Sequence, residues 1–196
     1  MKTDHVDATE VHPRLSRVAL RLAVVALLIA LDLWSKSAVV AWLEASPPPA
    51  GMSYDDHGHH RYEIAGEWFA FMISYNPGMA WGFDKLPTWL LVGGRCAAVA
   101  FLVWLVVRAS PLKRLLSSAL VLILAGASGN LYDNLFLEPR RAGARFGEVR
   151  DFIDVYFGFA NWHFPTFNIA DACISVGAVL LLLSSFLEPK PDSQGA

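Results

Sequence analysis

Five aspartates, Asp32, Asp133, Asp151, Asp154 and Asp171, lie inside or at the edges of apolar stretches of this 196-residue chain. A carboxylate there is costly unless something pairs with it or uses it. Asp151 and Asp154 stand three apart in "VRDFIDVYF", and Asp171 opens the last apolar run in "TFNIAD". Two carboxylates brought together around one water suit hydrolysis of a peptide bond. Like charge pushes their pKa values apart, so one is ionised and the other protonated at working pH. The ionised member activates the water; the protonated one polarises the carbonyl and later protonates the departing amine. Spacing alone does not say which two of the five meet.

Other polar residues accompany them. Asn130 precedes Asp133 by three in "GNLYDN", and Asn168 precedes Asp171 by three in "FNIAD". Taken singly, each pair is a helix cap with a hydrogen bond to a carboxylate. Two such pairs, at helix ends expected on one side of a membrane, point to a shared site. Asp32 and Lys36 are four apart on a helix and neutralise each other. The plain reading is an ion pair that eases insertion; the functional one is a polar contact to substrate or headgroup. Ser35 and Lys36 do not form a serine–lysine couple, because adjacent helical side chains diverge by about 100°. "DDHGHH" (Asp55 to His60) reads as a solvated loop tip rather than a metal site. Cys96 and Cys173 fall in apolar runs and read as packed thiols, with no disulfide and no CxxC pair. A Cys173–His163 couple is the weaker reading. Arg95 stands alone in its apolar run, snorkelling or facing a polar interior.

Something must position these groups in a chain that is 55% hydrophobic and only 17% charged. A soluble domain carries about 25% charged residues, and here the apolar excess comes in blocks, so the class is an integral membrane protein. The net charge of −2 gives no general attraction to nucleic acid. Helices are expected at about 18–43, 87–107, 115–132 and 169–187, each near the ~20 residues that cross a ~30 Å hydrocarbon layer. Asp32 and Lys36 interrupt the first run, which sets it apart from a signal peptide with its apolar region of about 7–15 residues. The expected domain is 18–187, between an N-terminal tail at 1–17 and a C-terminal tail at 188–196. Lys2, Arg14, Arg17 and Arg21 flank the first helix, and Arg108, Lys113 and Arg114 fill the short hairpin between helices two and three. These place both termini in the cytoplasm, against the opposing weight of Arg140, Arg141, Arg145 and Arg150. The long loops 44–86 and 133–168 then lie outside. Residues 44–62 read as a loop and 63–75 as a strand, with a turn at Asn76-Pro77-Gly78. The aromatic stretch "YFGFANWHF" suits a membrane surface.

In order along the chain, "DLWSK", "NPGMAWGF", "GASGNLYDN", "VRDFIDV" and "FNIAD" resemble the motifs of the lipoprotein signal peptidases, or signal peptidase II. The resemblance covers about residues 18–187. It implies an all-α membrane protein of four transmembrane helices, with a small extracytoplasmic β-cradle over 63–83 and a membrane-surface loop. It implies an intramembrane aspartyl endopeptidase of the bacterial inner membrane, with Asp151 and Asp171 catalytic. Asp32, Lys36, Asn76, Gly78, Asn130, Asp133 and Asn168 become the supporting or substrate-binding residues. The implied substrate is a prolipoprotein whose cysteine carries diacylglycerol, cut just before that cysteine. Membrane lipid is the other partner; no metal or cofactor is implied because water is the nucleophile, and the chain is expected to act as a monomer. Two departures stand out. Asn134 occupies the place where the family usually has arginine, so that the ion pair expected there is either missing or supplied by another arginine, such as Arg140 or Arg150. Arg150 itself replaces an apolar residue, and along an extended strand it points away from Asp151.

Three rivals stand beside this reading. A small proton-coupled transporter wants carboxylates spread through the bilayer, whereas these crowd one side. A non-catalytic scaffold would tolerate amides at Asp151 and Asp171. A serine-type peptidase would pair Lys36 with a serine on another helix, such as Ser128.

Overall fold

Residues 8–54, 58–77, 87–110, 112–138 and 146–187 are described by this computed structural model, the side chains of 8–14 excepted. Four helices, α1 (Ala8–Leu43), α2 (Thr88–Arg108), α3 (Arg114–Phe136) and α4 (Ile169–Leu187), are each long and apolar enough to cross a membrane. The first begins within the stretch expected to be a polar tail, so the helix runs on beyond its apolar part. α3 is the central element, packing on α1, α2 and α4. It lies close to α4, where a Cβ on Gly177 would stand 2.7 Å from Ile123 Cγ1. Small residues at such a seam let helix backbones approach where no hydrophobic effect drives them together.

Exposure is inverted relative to a soluble protein. Leu20, Leu27, Trp34, Phe101, Leu182 and Phe186 are exposed on the helices, while Asp32, Lys36, Asp133 and Asn168 are buried among them. One apolar core joins Val25, Val106, Leu120, Val121 and Leu124 across α1, α2 and α3. At that end Arg21 of α1 donates to the carbonyls of Val106 (3.1 Å) and Ala109 (2.9 Å) and to Ser117 Oγ (2.8 Å). The start of α1 and the α2–α3 hairpin therefore share one end of the bundle, and the sheet occupies the other.

The five-stranded sheet is antiparallel throughout, in the order β1 (Ser53–Tyr54), β2 (His60–Glu63), β3 (Phe69–Asn76), β4 (Val149–Phe157), β5 (Trp162–Phe167). It is larger than the expected cradle. Part of the 44–62 stretch forms β1 and β2, and the run 63–75 divides, with Ile64–Trp68 turning between β2 and β3. β4 and β5 come from the 133–168 stretch. Their residues are β-branched and aromatic, which suits strands, but the partner of β4 is β3, far away in sequence. A second apolar core of Val39, Leu43, Ile73 and Phe152 seats one face of the sheet on the end of α1. Ser74 and Asp151 are directly opposed across the two strands and share the other face, the register shift between Phe71 and Ser74 interrupting plain alternation there.

Candidate active site

The start of α4 is built by Asn168. Its Oδ1 accepts the Asp171 N–H at 2.9 Å, and Asp171 Oδ2 accepts the Asn168 N–H at 3.2 Å. This is a reciprocal capping box, with Asp in the place that Glu commonly takes. Capping and placement of a reactive carboxylate are here one arrangement, because the cap fixes the Asp171 side chain. A further orphan donor of the helix, the Ala170 N–H, is taken by Asp32 Oδ1 at 2.9 Å.

Asn168 also reaches Asp151. Its Nδ2 donates to Asp151 Oδ1 at 2.6 Å and to the Arg150 carbonyl at 3.2 Å. From β3, Asn76 Nδ2 donates to Asp151 Oδ2 at 3.1 Å. Asn130 Nδ2 donates to Asp171 Oδ1 at 2.7 Å. The two amides are linked in turn, Asn168 Nδ2 lying 3.1 Å from Asn130 Oδ1, which also accepts from Lys36 Nζ at 2.9 Å. Asp151 and Asp171 thus come together through a shared residue, although they lie on a strand and a helix. Asp151 is buried (2% exposed). Burial is the main cause that pushes its carboxyl up to about 7, and the charge of Asp171 adds to it. The hydrogen bonds from Asn76 and Asn168 and the charge of Lys36 pull the other way.

Behind the amides runs a row of alternating charges. Lys36 Nζ stands 2.8 Å from Asp32 Oδ2 and 3.6 Å from Asp133 Oδ2. Arg150 holds Asp133 from the other side: Nη2 to Oδ1 at 2.6 Å, Nε to Oδ2 at 3.2 Å, and its own backbone N–H to Oδ2 at 3.0 Å. Arg150 Nη1 also donates to Ser37 Oγ of α1 at 3.2 Å. Buried charges need this kind of pairing. Gly129 leaves room for it, since a Cβ there would stand 2.6 Å from Asp32 Oδ2.

Of the nine residues singled out in the sequence, Asp32, Lys36, Asn76, Asn130, Asp133, Asp151, Asn168 and Asp171 fall into this one network, and Gly78 lies outside the described residues. The arginine lacking at position 134 is replaced in function by Arg150, which points away from Asp151 as its strand position requires. Arg140 lies outside the described residues, as do Ala80 and Gly82. Ser35 turns its hydroxyl to the Asp32 carbonyl at 2.9 Å, and Lys36 is engaged by the network.

Two features were read only in part, Arg95 as snorkelling or facing a polar interior and Asp154 as one of five carboxylates. Arg95 of α2 donates to Asn134 Oδ1, and Asn134 Nδ2 donates to the Gly147 carbonyl at 2.7 Å, tying the approach to β4 onto α3. A lone arginine and a lone asparagine on neighbouring apolar helices were the available signal. Asp154, the fifth carboxylate, stands apart, with Arg61 Nε at 3.0 Å and His163 Nδ1 at 2.9 Å. His163 therefore partners an aspartate rather than Cys173. Of the histidine-rich tip, Asp55, Asp56 and His57 lie outside the described residues, while His60 Nδ1 lies 3.2 Å from the Leu43 carbonyl.

The lipoprotein signal peptidase of Yersinia pseudotuberculosis serotype O:1b (strain IP 31758) is 39% identical over 126 residues, 62% of this chain and 68% of that protein. That of Serratia proteamaculans (strain 568) is 38% identical over 129 residues, 64% of this chain and 70% of its own. That of Photorhabdus laumondii subsp. laumondii is 39% identical over 136 residues, 66% and 75% of the two chains. Two solved bacterial membrane enzymes, determined by the in meso method at 2.3 and 1.9 Å resolution, share the fold. Their TM-scores are 0.65 and 0.64 at 20% and 22% identity, over 91% and 88% of this chain and 94% and 95% of theirs. The sequence model described as Signal peptidase (SPase) II matches residues 24–187. A bundle of four spans, a small sheet across one end and a match over most of the chain lead to one assignment: this multi-pass membrane protein belongs to the signal peptidase II family.

Proposed function

We propose that this chain is an intramembrane aspartyl endopeptidase that removes the signal peptide from diacylglyceryl-modified prolipoproteins, cutting just before the lipidated cysteine. Asp151 and Asp171 are the catalytic pair. The observation that most supports this is the double use of Asn168, whose side-chain amide donates to Asp151 while its backbone N–H donates to Asp171. A carboxyl pushed up to about 7 beside a second carboxylate is the arrangement that lets a pair share one proton at neutral pH.

The proton starts on Asp151 and is donated to the scissile carbonyl oxygen as Asp171 takes a proton from the attacking water. The water oxygen forms the new bond to carbon. On collapse the C–N bond breaks, Asp171, which has become the protonated member by taking the water's proton, gives that proton to the leaving amine, and the hydroxyl proton goes back to Asp151. The products are a signal peptide with a new carboxyl end and a lipidated cysteine with a free amine. Asn76, Asn130 and Asn168 orient the carboxyls; Asp32, Lys36, Asp133 and Arg150 hold the amides and strand that do so. Gly78, two residues past Asn76 in the sequence, is counted with the supporting residues in this reading.

The chain works as a monomer in the bacterial inner membrane, both termini cytoplasmic, the sheet and dyad on the outer side. The diacylglyceryl chains then set the depth of the cysteine, and the signal helix lies among α1 to α4. The test is cleavage of a lipid-modified and an unmodified prolipoprotein in detergent. Asp151→Asn and Asp171→Asn should each abolish cleavage of the modified substrate while leaving the protein folded, and Ser35→Ala or Ser128→Ala should keep substantial activity. Equal processing of both substrates would remove depth as the basis of recognition; full activity in either aspartate variant would remove the dyad.

A further inference from the structure

The open face of the sheet carries a second polar group of residues that the dyad does not use. Asp154 is fully buried (0% exposed) beneath Arg61 and His163. Arg61 also donates to Glu63 Oε1 at 2.8 Å and to the Glu67 carbonyl at 2.9 Å, so its guanidinium is occupied on three sides. His163 is different. Its ring lies on Tyr156, centroids 4.6 Å apart, and its Nδ1 faces Asp154 while its side chain is 54% exposed. A carboxylate on one ring nitrogen fixes the ring and leaves the other free to act. Nε2 therefore points away from the sheet as an oriented hydrogen-bonding group.

Arg61, Glu63, Glu67, Tyr156 and His163 line a groove of about 690 Å³, along with Tyr54, Met72 and Ser74. Ser74 is the cross-strand partner of Asp151. Directly opposed residues in antiparallel strands project to the same face, so the Ser74 end of the groove lies on the face of the sheet that carries Asp151, and the groove runs over β2, β3 and β5. The other face of the sheet is closed by Val39 and Leu43 of α1.

We infer that this groove binds the polypeptide that follows the lipidated cysteine, extended over the sheet, with His163 Nε2 bonded to its backbone. The inference rests on the peptidase reading above. A substrate cut at Asp151 and Asp171 has two sides. Its signal side is apolar and has helices to lie against; an arginine, two glutamates and a histidine offer it nothing. Its other side is a backbone whose N–H and C=O groups need partners wherever they leave water, and the polar lining offers these. The volume is in the range of sites that hold ligands.

The experiment compares two lipid-modified substrates with one signal sequence, the first ending at the cysteine as an amide and the second carrying several further residues. The extended substrate should have the higher kcat/KM, by about tenfold if one or two hydrogen bonds are made. His163→Ala should bring that ratio towards one, mainly through KM of the extended substrate, and His163→Gln should restore part of it. A photo-reactive residue just past the cysteine should label β3 or β5 of the unaltered enzyme, which needs no variant to fold. Equal kcat/KM for the two substrates, a ratio that survives His163→Ala, or labelling confined to the helices would overturn the groove while cleavage itself continued. Failure to cleave either substrate would instead overturn the peptidase reading on which it rests.

Discussion

Asp151 and Asp154 are three residues apart on one strand, both buried, and placed in opposite kinds of surroundings. Asp151 is met by neutral amides, from Asn76 and Asn168, and by a second carboxylate, Asp171. Asp154 is met by a guanidinium and an imidazole. A buried carboxyl among amides and a like charge is free to hold or release a proton near neutrality. One clasped by Arg61 and His163 is held in place by its partners, and its use is to orient what touches it. The lesson is that burial alone does not mark a reactive carboxylate; the chemistry of its partners does.

The sharpest way to break this contrast is to neutralise each in turn. Asp151→Asn removes a group that moves a proton in the transition state, and general acid–base groups contribute about 10²–10⁴-fold. Cleavage should fall at least that far, with the fold intact. Asp154→Asn should instead act on stability, since breaking a buried ion pair costs about 3–5 kcal/mol. Its Tm should fall clearly while the folded fraction still cuts a short substrate. Comparable catalytic losses in the two folded variants would erase the distinction.

Arginine gives the next largest effect. Arg150 fixes β4 through side chain, N–H and carbonyl, and Asp151 is the next residue. Arg150→Ala should lower kcat by about a hundredfold, the cost of a misplacement near 1 Å, with Arg150→Lys recovering part of it. Arg61→Ala, on the Asp154 side, should leave kcat for the short substrate largely in place and lower Tm. A loss in KM alone for Arg150→Ala would mean that it does not position Asp151.

The same contrast explains what could be read from sequence. The four spans were legible because lipid forces long apolar runs, and the network residues were legible because polar groups inside such runs are rare. Asn168 and Asp171 could be read as a cap from spacing alone, since a capping box is local. The pairing of β3 with β4 could not, because Ser74 meets Asp151 across distant sequence and strand partners leave no local mark. For that reason the strands of 133–168 went unassigned, and Asp154 could not be separated from Asp151. Arg150 was legible only in part. Its strand position said where it would not point, and the Asp133 that receives it lies on another element.

The last effect is the most discriminating, because it depends on sign. The Asp151 carboxyl has an ordinary value of 3.8 and is raised to about 7 by burial and by Asp171. A carboxyl raised in the folded state binds its proton more tightly there than in the unfolded chain. Stability therefore falls as pH rises between those two values, and above the upper one the folded protein carries the full cost of the ionised group. An asparagine carries no such cost. Asp151→Asn should be more stable than the parent chain at about pH 8, and the difference should shrink towards about pH 4. Cleavage by the parent chain should decline as pH rises through about 7, when the proton that Asp151 must donate is lost. Thermal melts in one detergent across that range measure the first effect, and initial rates the second. If the Asp151→Asn advantage in Tm grew on acidification instead, Asp151 would be an anion stabilised by its partners, and its contrast with Asp154 would collapse.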